Sequence, residues 1–190
     1  MNKLKEITIW TSRLLWPTLI IISWWSFRVE DDLIFRLITA FLVLSSILFA
    51  WWQKRLYLAA ISVVFIGLSG LFVYLQNAGP DGLGLITSYI VLIYILTVAC
   101  FAAFATYTLK VLNPFVLVYL VGVIFICLEF FWILASIAAD PIIRALLVTG
   151  LFHLMFTMVA LYSWKKLEKK NFRWYLVGAT LFFAIFIRLM

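Results

Sequence analysis

The stretch PFVLVYLVGVIFICLEFFWILAS, residues 114–136, decides the fold. It is apolar and uncharged except for one acid, Glu129. A helix needs about 20 such residues to cross the roughly 30 Å of hydrocarbon in a bilayer. No period-two alternation runs through it, so it reads as a helix and not as a barrel strand. Asn113 before Pro114 is a helix start, a capping side chain ahead of a proline at the first helical position.

The rest of the chain is of the same kind. Of 190 residues, 67% are hydrophobic and only 12% are charged, and the mean hydropathy is +1.16. A soluble domain has about half its residues apolar and about a quarter charged. The solvent for most of this protein is therefore lipid. Seven segments meet the length test: Ile7–Phe27, Leu33–Trp52, Leu56–Gln76, Leu85–Leu109, Pro114–Ser136, Pro141–Trp164 and Trp174–Met190. Asp140-Pro141 repeats the helix-start signal, and Gly79-Pro80-Asp81-Gly82 breaks the chain between the third and fourth segments. The expected fold is an all-α integral membrane protein. It is one polytopic domain over residues 1–190, a bundle of seven transmembrane helices.

Charge gives the expected orientation. With a cytoplasmic N-terminus, every lysine falls on the inner side: Lys3, Lys5, Lys54, Lys110, Lys165, Lys166, Lys169 and Lys170. The outer segments carry Arg28, Glu30, Asp31, Asp32, Asp81 and Asp140 and are mainly acidic. That is the positive-inside pattern, and an odd number of spans then puts the C-terminus outside. The basic N-terminus ahead of a long apolar stretch, with no small-residue cleavage site, reads as a retained first span rather than a signal peptide. A multi-pass protein of the cell membrane follows.

The net charge of +7 belongs to these loops. It does not point to nucleic acid, because no basic helix lies outside the bilayer. The two cysteines, Cys100 and Cys127, sit in apolar segments and do not form a zinc-finger or disulfide framework. Retinal proteins carry a lysine in the seventh helix for a Schiff base, and Trp174–Met190 has none. No phosphate loop or nucleophile elbow is present. No cofactor and no metal are expected.

Charged residues inside a bilayer are costly, so each is a candidate site. Arg36 and Arg144 follow Asp32 and Asp140 by four residues, a spacing that lets each pair locally. Arg13 lies roughly 9 Å into the first span, and Pro17 removes the helical donor of its carbonyl. Glu129 is the sharpest candidate. It lies roughly 12 Å deep, and its neighbours one turn away are Phe125, Ile126, Trp132 and Ile133. On the sixth segment Arg144 is roughly 4.5 Å deep and His153 roughly 18 Å deep. Side chains lean toward the N-terminus of their helix. Glu129 and His153 therefore lean toward each other, and a contact is expected if their faces meet. The candidate binding residues are Glu129, His153, Arg144 and Arg13.

Few polar residues within the spans and no enzyme motif give a first expectation. The chain is a non-enzymatic membrane protein, a structural, assembly or accessory subunit. Its surroundings are the lipid bilayer and either a partner membrane protein or a homo-oligomer. An alternative is a small transporter or channel, proton-coupled through Glu129 and His153. A further alternative is an intramembrane enzyme acting on lipid, with the same two residues as acid and base.

Overall fold

The structure is a computed structural model. It describes residues 10, 13–29, 33–53, 56–78, 82–108 and 114–163, with residues 177, 178, 180, 181, 184 and 188. The described residues form six helices: α1 (Leu15–Val29), α2 (Leu33–Gln53), α3 (Tyr57–Ala78), α4 (Gly82–Thr108), α5 (Pro114–Ala135) and α6 (Pro141–Ser163). Four are long and apolar enough to cross a membrane, over Tyr57–Asn77, Gly84–Phe104, Val116–Ala135 and Pro141–Leu161. The chain is a multi-pass, all-helical membrane protein.

The expected seven-helix bundle is thereby corrected to six helices, four of them candidate spans. Hydropathy measures the cost of transferring a segment into lipid and says little about where a continuous helix begins. In the first segment the helical state lapses at Leu14, three residues before Pro17. Proline cannot donate to the Arg13 carbonyl, so the ladder breaks there. The helix that follows has 15 residues, or about 22 Å at 1.5 Å per residue. Much of the expected seventh span, Trp174–Met190, lies outside the described residues; its described positions, 177, 178, 180, 181, 184 and 188, are helical. The orientation drawn from an odd count of spans falls with that count.

The chain divides into two compact units, Met1–Leu112 and Asn113–Met190. In the first, α3 is the central helix, with α1, α2 and α4 packed on it. From Ala59 to Val73, α3 is buried at every position except Ile61. Two glycines allow this closeness. A Cβ at Gly67 would stand 2.6 Å from Ile95 Cδ1 on α4, and one at Gly70 would stand 2.7 Å from Trp25 Cζ3 on α1. Without a hydrophobic driving force between helices in lipid, such close backbone approach and interhelical hydrogen bonds hold the bundle. Thr18 of α1 and Tyr94 of α4 share a hydrogen bond of 2.9 Å. Ser46 of α2 and Ser62 of α3 share one of 2.7 Å.

The second unit pairs α5 with α6. The buried positions of α5 are Val116, Leu120, Val123, Cys127, Phe131 and Leu134. They recur at three and four residues, the spacing of one helix face. On α6, Phe152 and Phe156 stack at 6.0 Å between ring centroids. Asp140 starts α6 as its spacing before Pro141 predicts. Its Oδ1 accepts from the Ile142 N–H at 2.8 Å and the Ile143 N–H at 3.4 Å. Two of the orphan donors of the first turn are thus satisfied. The Asn113 cap expected for α5 lies outside the described residues.

Candidate functional site

Among the described residues several hydroxyls donate within their own helix, while those of Ser26, Thr39 and Thr149 are buried with no hydrogen-bond partner. Ser23, Ser69 and Ser88 each donate to the carbonyl four residues back, at 2.6, 2.9 and 2.8 Å. Thr97 and Thr157 do the same, both at 2.7 Å. In hydrocarbon no water is available, so a hydroxyl bonds to its own backbone where it can. These serines and threonines are spent on structure.

Arg144 is buried in α6, and its Nη1 donates to the Ile137 carbonyl at 3.4 Å. That carbonyl belongs to the turn between α5 and α6. Asp140 adds coulombic attraction to the guanidinium. One acid thus caps the helix through Oδ1 and attracts the cation one turn on. The four-residue spacing pointed to Asp140, whereas the Ile137 carbonyl left no mark in the sequence.

Arg13 is exposed, and its guanidinium carbon lies 4.9 Å from the centroid of the Trp10 ring. Arg28 stands 4.5 Å over the ring of Trp24 in the same way. Both are cation–π contacts, and the face of an indole is the strongest of the aromatic partners. Spacings of three and four residues on a helix could have shown both pairs. The partner expected for Arg36, Asp32, lies outside the described residues.

Glu129 and His153 are both exposed on the second unit. Among the described residues no hydrogen bond or ion pair joins them. The His153 carbonyl accepts from the Thr157 hydroxyl. The carboxyl of Glu129 stands six residues before the end of α5 at Ala135, or about 9 Å along the axis. Phe125, 62% exposed, and Trp132, 48% exposed, flank it on the same face. A carboxyl so placed can give or take a hydrogen bond with whatever covers that face. Cys127 is buried on the other side of α5, and Cys100 is buried in α4. Among the described residues no three His, Cys, Asp or Glu side chains gather in one place. No protein-family model matches this chain, and no curated protein and no solved structure is significantly similar to it.

Proposed function

We propose that this chain is a non-enzymatic subunit of the cell membrane with a structural, assembly or accessory role. One observation carries the reading. The ionisable residues that would do chemistry within the spans, Glu129 and His153, stand on exposed faces, while most buried positions are apolar. The interior of the first unit is filled by residues such as Phe72, Phe104, Leu68 and Leu92. Ser23, Ser69 and Ser88 donate to their own helices. A protein that works by transport or catalysis places polar groups around an internal cavity or cleft. A protein that works by assembly can carry on an outer face a polar group that bonds to a partner helix.

The test is reconstitution beside native purification. The chain extracted from its own membrane in mild detergent should elute as a complex of fixed stoichiometry. The purified chain alone in liposomes should pass no proton current above that of empty liposomes. Proton flux through the wild type that Glu129→Gln abolishes would replace this reading with the transporter.

A further inference from the structure

Within the first unit, α2 and α3 carry hydroxyls at matching steps. Ser46 of α2 and Ser62 of α3 are bonded to each other. Thr39 stands seven residues before Ser46, and Ser69 stands seven residues after Ser62. The helices α2 and α3 are consecutive, with Gln53 ending one and Tyr57 starting the next, so they run antiparallel where they pack. Seven residues fall only about 20° short of two full helical turns. Thr39 therefore shares the face of Ser46, and Ser69 the face of Ser62. Both lie about 10.5 Å along the axis from the bonded pair, in the same direction. Thr39 and Ser69 are thus set opposite each other, and both are buried.

The two levels are used differently. Ser46 and Ser62 also lie in hydrogen-bond reach of the carbonyls of Leu42 and Leu58, four residues back. Ser69 Oγ donates to the Phe65 carbonyl at 2.9 Å, which commits its proton and leaves its lone pairs able to accept. Thr39 Oγ1 is buried with no hydrogen-bond partner, so it holds the one uncommitted proton at this level. On its other sides α3 is pinned, at Gly67 by Ile95 and Ile22 and at Gly70 by Trp25. The helix that can shift is α2. We propose that α2 is a latch with two packed states. It pivots on the Ser46–Ser62 bond, and in the closed state Thr39 Oγ1 donates to Ser69 Oγ as a second rung. In the open state, the one described above, only the first rung is made. Packed helices change between discrete arrangements of this kind rather than deforming continuously.

The latch is internal to the first unit and stands whether or not the chain assembles with a partner. Hydrogen exchange of the amides in residues 33–42, measured on the chain in nanodiscs, reads the closed state. Thr39→Val and Ser69→Ala each speed that exchange by about threefold, the worth of an average interhelical hydrogen bond in a membrane. The double variant exchanges no faster than either single one, and Thr39→Ser, which keeps the hydroxyl, exchanges as the wild type does. In a chain whose Cys100 and Cys127 are replaced by alanine, Thr39→Cys with Ser69→Cys forms a disulfide under mild oxidation. Thr39→Cys with Phe65→Cys, one turn out of register, does not. Additive effects of Thr39→Val and Ser69→Ala overturn the proposal. So does slower exchange in Thr39→Val, which would make the hydroxyl a burden in every state, and so does a disulfide at Phe65 in place of Ser69. Should a cysteine variant fail to fold, the exchange cycle on the native cysteines decides alone.

Discussion

Gly70 of α3 lies against the indole of Trp25 of α1. A Cβ there would stand 2.7 Å from Cζ3 and 3.1 Å from Cε3. One turn along α3, Tyr74 meets the same indole at 6.2 Å between centroids, tilted by 53°. The tryptophan is thus bounded by a glycine and an aromatic ring, and a rigid bicycle has no rotamer that clears an added methyl group without moving a helix.

Gly70→Ala therefore destabilises the first unit by about 1–3 kcal/mol, the usual cost of overpacking a filled core. Gly67→Ala costs less, because the obstructing atom is Cδ1 of Ile95, the movable end of a flexible side chain. Gly122→Ala leaves the monomer unharmed or slightly more stable, since that position is open and alanine is the better helix former. Reversible unfolding in mixed micelles orders the three, and a Gly70→Ala protein as stable as the wild type would show the helix contact to be loose.

Asp140→Ala removes the α6 cap and the attraction to Arg144 together. Loss of the cap alone costs about 0.5–2 kcal/mol. Asp140→Asn keeps the acceptor Oδ1 and removes the charge, so it should recover most of the loss. Thermal midpoints of the three proteins at one pH give the comparison. If asparagine were as damaging as alanine, the charge and not the cap would hold this turn.

The Thr18–Tyr94 bond ties α1 to α4. Interhelical hydrogen bonds of this kind in membranes average about 0.6 kcal/mol. A double-mutant cycle of Thr18→Val and Tyr94→Phe should give a coupling of that order, because each substitution removes one partner and little volume. Additive effects of the two would show that the hydroxyls are neighbours without being bonded.

Arg28→Gln should alter the emission of Trp24 more than it alters stability. The guanidinium lies 4.5 Å over the ring, and an exposed cation–π pair contributes about 0.5–1 kcal/mol. Fluorescence of a protein retaining Trp24 as its sole tryptophan on α1 reads the change. Arg28→Lys, which keeps a cation, should fall between the two.

Composition and local punctuation were enough to decide that the chain lives in lipid, that it is helical, and that α6 begins after Asp140. Each of these depends on transfer free energy or on a few adjacent residues, both local quantities. Where the first helix begins was not legible, because apolar runs on either side of Pro17 look continuous to hydropathy while the hydrogen-bond ladder is broken at Leu14. The surroundings of Glu129 were not legible either. Both faces of α5 are apolar, and Cys127 and Phe131 on the buried one read no differently from Phe125 and Trp132 on the exposed one. In water the hydrophobic effect marks which face turns inward. In a bilayer the lipid is as apolar as the protein interior, so that mark is missing, and only the packing of α5 on α6 decided which face was left open.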